Sequence, residues 1–119
     1  MIVRNSRNSY EIDNVEISKG LKNVQGLMFK KNGRILMDFW FSDYHGIWMP
    51  FMKFSLDLIF IDRNNEVVDI KENILPISFN PKTWKVYRPK KRCKYVLEIE
   101  SCKISKKIKS GDKLDFIFQ

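Results

Sequence analysis

The segment Leu56-Asp57-Leu58-Ile59-Phe60-Ile61 is apolar on both faces that a strand would present, with Leu56, Leu58 and Phe60 on one side and Ile59 and Ile61 on the other. Such a strand must be covered on both sides, which places it in the interior of a layered sheet. The residues after it, Asp62-Arg63-Asn64-Asn65-Glu66, are turn formers, and Val67-Val68-Asp69-Ile70 resumes the apolar pattern. That order predicts a hairpin in which an asparagine takes a positive φ. The chain contains no alanine, the best helix former, and is rich in Val, Ile, Phe, Tyr and Trp, which favour strands. Everything here points to a mostly β protein.

The same alternation can be traced elsewhere. Tyr10 to Ile17 reads as an early strand whose phase shifts at Asn14, as a bulge would shift it. Ser18 is placed to cap a short helix through Lys19 to Leu27. Ile35, Met37, Phe39 and Phe41 share one face of a strand, and Ile47 to Phe54 is extended with a bend at Pro50. Trp84 to Arg88 is a candidate short strand. Tyr95, Leu97 and Ile99 alternate with Glu98 and Glu100, two carboxylates expected on a solvated face, and Leu114, Phe116 and Phe118 mark the last strand after a turn at Ser110-Gly111-Asp112.

A chain of 119 residues without linker, repeat or low-complexity tract reads as one domain, 1–119. Its longest apolar runs are four residues, against about 20 for a membrane helix, and residues 1–10 lack the apolar core of a secretory signal. The expectation is a soluble, cytoplasmic protein with no membrane partner. Cys93 and Cys102 flank a predicted strand of at least six residues. At ~3.3 Å per residue they stand too far apart for a disulfide, so both are expected reduced.

Three stretches resemble one known family: Gly26-Leu27-Met28-Phe29, then Trp48-Met49-Pro50-Phe51-Met52-Lys53-Phe54-Ser55-Leu56-Asp57, then Tyr95-Val96-Leu97-Glu98, followed by Gly111-Asp112. In this order they are similar to the domain of unknown function 192, also called uncharacterised protein family 0127, over about residues 15–118. Tyr87-Arg88-Pro89-Lys90-Lys91 resembles its archaeal branch. The resemblance implies a compact antiparallel β-sandwich or barrel, jelly-roll-like, with one or two short helices, and it implies no known activity. The chain departs from the family pattern at Arg34-Ile35-Leu36 and at Glu100-Ser101-Cys102-Lys103.

Candidate sites follow from chemistry. Strand parity puts Asp57 on the Ile59 and Ile61 face, where a carboxylate must be paired or hydrogen-bonded. One reading makes it a site group beside Lys53; the other makes it a buried acceptor of backbone N–H groups from the bend at 50–55. With Trp48, Met49, Met52 and Phe54 as apolar walls, and Lys53, Asp57 and Glu98 as polar groups, the leading expectation is a cleft for a small molecule. His45, Met49 and Met52 are soft ligands of the kind that select Cu(I), but methionines pack on aromatics without any metal, so no metal or cofactor is expected. No zinc pattern or nucleophile elbow is present, and whether the chain is an enzyme stays open; a hydrolytic pair of Asp57 and Glu98 is the weakest reading.

The formal charge of +8 is regional: residues 82–113 carry +9 and the remainder −1. Lys82, Lys85, Arg88, Lys90, Lys91, Arg92 and Lys94 interleave with Trp84, Tyr87 and Tyr95. Aromatics among cations are the arrangement that binds single-stranded nucleic acid, which makes a polyanion the alternative partner.

Overall fold

In the computed structural model, residues 1–19, 33–45, 47–48, 55–74 and 86–118 are described, with backbone alone at Ile47, Trp48 and Val86. The strands are β1 (Ile2–Asn5), β2 (Glu11–Ile12), β3 (Glu16–Lys19), β4 (Ile35–Asp43), β5 (Ile47–Trp48), β6 (Leu56–Ile61), β7 (Val67–Ile74), β8 (Val86–Tyr87), β9 (Cys93–Glu100) and β10 (Leu114–Ile117), with a 3-10 turn at Ile104–Lys106. They form a five-stranded sheet ordered β3-β4-β9-β6-β7, a three-stranded sheet ordered β10-β1-β2, and a ribbon of β5 with β8. All pairings are antiparallel except β3 with β4.

The two larger sheets make a sandwich rather than a closed barrel. Val3, Ile12 and Leu114 of the small sheet pack on Leu36, Ile59, Ile61, Leu97 and Ile99 of the large one, with Ile104 and Ile108 closing the end. The opposite face of the large sheet carries Ile35, Met37, Leu56, Leu58, Phe60, Ile74 and Val96. All six residues of β6 are buried, as its two apolar faces require. Each fully buried aliphatic side chain there contributes ~2 kcal/mol, which makes β6 and β9 the thermodynamic centre of the molecule.

The hairpin between β6 and β7 forms with Asn65 at φ 64°. Three expectations need correction. The phase shift at Asn14 is not a bulge: Asn14 turns through φ 52° and the chain changes sheets, from β2 to β3. Ser18 is not a helix cap but a buried residue inside β3; the rest of the predicted helix, to Leu27, lies outside the described residues. Glu98 is not solvated, because β9 is the middle strand and its side chain falls on the Ile35 and Leu58 face. β1, unanticipated, rests on only two apolar residues, Ile2 and Val3.

Candidate functional site

Asp57 faces the sandwich interior, as its parity required, and it is 0% exposed. Two irregularities of the backbone converge on it. In β7 the register slips between Leu56↔Ile74 and Leu58↔Lys71, so Glu72 and Asn73 stand opposite Asp57 alone. Asn73 adopts φ 52°, a conformation that asparagine tolerates, and its N–H donates to Asp57 Oδ1 at 2.8 Å. After β9, Lys103 turns through φ 56° and ψ 52°. This left-handed residue aims the N–H groups on either side of it, those of Cys102 and Ile104, at one oxygen, Asp57 Oδ2, each at 3.1 Å. Such a concavity of main-chain donors is an anion receptor, and here the chain's own carboxylate fills it.

Asp57 is therefore a clamp that joins β6, β7 and the turn after β9. The three amides that reach it belong to β7 and to the turn after β9; of the bend at 50–55, only Ser55 is among the described residues. Glu72 adds a second fastening, accepting the Ser105 N–H at 2.8 Å. Beside this clamp opens a depression of about 620 Å³, bordered by Glu72, Asn73, Cys102, Lys103, Ser105 and Lys106. The described residues that rim the opening next to Asp57 are mostly charged or polar: Glu72, Asn73, Lys103, Ser105 and Lys106. Met49, Met52, Lys53 and Phe54, with the Trp48 side chain, lie outside the described residues.

Glu98 is the second buried carboxyl, 4% exposed, and it sits between Ile35 of β4 and Leu58 of β6. Among the described residues no donor reaches it, and burial pushes its pKa up to about 7. Asp57 pairs with Ile99, the neighbour of Glu98, so the two carboxyls project from opposite faces of the sheet. They cannot flank one bond, and the hydrolytic pair is withdrawn.

The basic segment does not form one face. Arg88, Lys90, Lys91 and Arg92, all exposed, precede β9, whereas Lys103 and Lys106 follow it. The eight residues of β9 separate the two groups by about 26 Å. Lys94 is half-buried, its ammonium 3.5 Å from Asp38 and 2.8 Å from the Tyr95 hydroxyl. Lys82, Lys85 and Trp84 lie outside the described residues. Tyr95 is packed edge-on against Phe116, with ring centroids 5.1 Å apart, and is no free stacking platform. His45 stacks on Phe39 at 4.1 Å and places Nε2 2.8 Å from the Phe41 carbonyl oxygen. Both cysteines are free thiols, Cys93 buried and Cys102 exposed.

Sequence reasoning missed one further cluster. Asp112, of the Gly111-Asp112 motif, accepts bonds from the Lys109 N–H, Asn5 Nδ2 and the Arg7 guanidinium at 2.8 to 3.1 Å. Gly111 takes φ 96° to make that turn. Main-chain bonds between Gly111, Asp112 and Val67 of β7 make the motif a joint between the two sheets; the sequence marked it by turn chemistry and by its place in the family pattern, neither of which names the Asn5 and Arg7 partners.

A two-sheet sandwich with a self-filled anion receptor at one end defines the class of protein. The chain belongs to the family DUF192, described as "Uncharacterized ACR", whose family model matches residues 3–116. It is 35% identical over 123 residues to the UPF0127 protein PH1112 of Pyrococcus horikoshii, covering 96% of each chain. A UPF0127 protein of Pyrococcus abyssi is 30% identical over 126 residues, covering 98% of this chain and 97% of the relative. Two crystal structures share the fold. One is a protein of unknown function from Novosphingobium aromaticivorans, with TM-score 0.84, 22% identity, and 97% and 84% of the two chains covered. The other, from Sinorhizobium meliloti, is described as a "putative transcription regulator", with TM-score 0.81, 24% identity, and 96% and 91% covered. At these identities the likeness speaks for the fold alone, and the family is one of unknown function.

Proposed function

We propose that this protein is a binding module for a small ligand bearing a carboxylate or phosphate, seated in the depression between the β7 bulge and the 3-10 turn. One observation carries the reading: a depression of about 620 Å³ whose wall is a loop pinned at three positions, Cys102, Ile104 and Ser105, by buried or bulge-borne carboxylates. The volume falls within the range of small-molecule sites, and a pinned wall is the pre-organisation such sites need. Lys103 and Lys106 supply the cations at the rim; among the described residues no carboxylate pairs with either. Asp57 acts as a positioning residue here, since its oxygens are spent on main-chain amides.

Calorimetric titration with inorganic phosphate and with citrate tests this. The Lys103→Ala/Lys106→Ala variant is expected to lose at least tenfold in affinity with an unchanged unfolding midpoint, because both side chains are exposed. Equal affinity in the variant would remove the site.

A second reading has its own observation. Glu98, buried without a described donor, is the polar group that an apolar ligand on the Ile35 and Leu58 face would meet. An aromatic amine such as tryptamine that binds the wild type, and not Glu98→Gln, would favour this reading. The free thiols fit a reducing compartment, which supports a cytoplasmic protein. The Pyrococcus relatives support an archaeal-type member.

A further inference from the structure

The aromatic bulge of β4 and the basic turn before β9 are neighbours in space, although half the chain separates them. β4 pairs with β9 at Asp38↔Tyr95 and next at Asp43↔Cys93, so residues 39–42 stand opposite Lys94 alone and bulge, with Trp40 and Phe41 carried outward while Phe39 packs on the core. Farther along, Ile47 pairs with Tyr87. Between the pairings at Asp43 and Ile47, Tyr44 and His45 run antiparallel to residues 88–92. The second segment is the longer of the two.

Each side of this ribbon is held from beneath. Pro89 is buried, and the Lys90 N–H donates to Asp69 Oδ2 at 3.1 Å, which leaves the side chains of Arg88, Lys90, Lys91 and Arg92 in solvent. Among the described residues no carboxylate pairs with these four. Across from them Tyr44 is 48% exposed, and Trp40 and Phe41, in the adjoining bulge opposite Lys94, are 65% and 60% exposed. The His45 ring stacks on Phe39 and meets Phe41 edge-on at 4.9 Å, bracing the bulge. Trp40 is held at φ 71°, a left-handed conformation that costs a bulky residue ~1–3 kcal/mol. Three large rings are thus kept in water, one of them against its backbone preference, beside four unpaired cations.

We propose that this ribbon binds single-stranded nucleic acid, with bases stacking on Trp40, Phe41 and Tyr44 while Arg88, Lys90, Lys91 and Arg92 hold phosphates. Aromatic faces accept any unpaired base, and the cations supply the salt-sensitive attraction. Tyr44 stands opposite the cations, and Trp40 and Phe41 follow it in the adjoining bulge, so rings and cations line one continuous path along which an extended strand lays out bases and phosphates. A membrane anchor would instead put the rings at the tip and the cations behind them. This surface is separate from the depression beside Asp57, with β9 between them.

Fluorescence anisotropy of the full chain with a labelled RNA and a labelled DNA of about 12 nucleotides tests the proposal, that length lying within the site size of small single-strand binders. Binding of either is expected, with duplex of the same length weaker and a slope of log affinity on log salt near −3, about −0.7 for each of four phosphate contacts. Trp40→Asn is expected to weaken binding about tenfold through the lost stacking platform. Asparagine tolerates the left-handed conformation, so its unfolding midpoint should match or exceed the wild type, which separates lost recognition from lost folding. Lys91→Ala/Arg92→Ala should flatten the slope by about 1.4. No binding at low salt, duplex bound as well as single strand with Trp40→Asn indifferent, or adsorption to phosphatidylserine vesicles without oligonucleotide binding would each overturn the proposal.

Discussion

Asp57 and Glu98 lie on neighbouring strands, one register step apart, yet the two faces of the sheet treat them in opposite ways. On the face toward the small sheet, Asp57 collects three main-chain N–H groups from a β7 bulge and a left-handed turn. On the other face Glu98 has Ile35 and Leu58 for neighbours and no described donor. A buried carboxylate that is fully hydrogen-bonded ties segments together, whereas one that is only desolvated penalises its own charged form. The first builds a wall for a depression; the second is a group whose charge depends on what approaches it.

Removing each carboxyl sharpens this contrast. Asp57→Ala leaves three amides without an acceptor, that of Ile104 buried and those of Asn73 and Cys102 partly buried, and at ~1–3 kcal/mol for the buried one and less for the others the loss should reach about 3 kcal/mol in urea unfolding at pH 7. Asp57→Asn, which keeps one acceptor oxygen, should recover part of it. A loss under about 1 kcal/mol would mean that the clamp does not organise the loop.

Glu98→Gln should move stability the other way, and only at higher pH. The carboxyl titrates near 7 in the folded chain against 4.5 unperturbed, so the folded state binds its proton more tightly than the unfolded state. Its contribution is fully present below pH 4.5 and is lost as the pH rises through 7. Relative to the variant, the wild type should fall by about 3 kcal/mol over that window. A pH-independent difference would contradict the desolvated carboxyl.

Smaller effects separate the two ends of β9. One thiol, Cys102, should react promptly with a disulfide reagent. Cys93, buried on the Glu98 side with its pKa pushed up to about 11 by desolvation, should react only on unfolding. Prompt reaction of both would show that this side opens. Smallest of all, Arg34→Ala should cost about 1 kcal/mol, since its bonds to Asp13 are exposed and those to Glu100 only partly buried.

What the sequence made legible was short-range. The two-faced apolar run fixes β6 as interior, Asn65 closes its hairpin, and parity alone puts Asp57 on the Ile59 face. Its donors lie 16 to 47 residues away in the chain, beyond any reading of the bend before it. Glu98 and Glu100 look alike as alternating acids. Only the sheet order distinguishes them, because Glu98 falls inside the middle strand while Glu100, at its end, reaches Arg34. Charge clustered in sequence is likewise split by the strand it brackets, and Trp40 and Phe41, read as ordinary strand residues, are carried outward by a bulge that no local signal marks.

The most direct test of the account is an amide NMR titration of the wild-type chain with inorganic phosphate. Shifts confined to Lys103, Ser105, Lys106 and their β7 neighbours Glu72 and Asn73, with Cys102 and Ile104 N–H remaining protected from exchange by Asp57, are the expected result. No shifts there, or shifts spread evenly over every exposed lysine, would contradict a ligand site built on the Asp57 clamp.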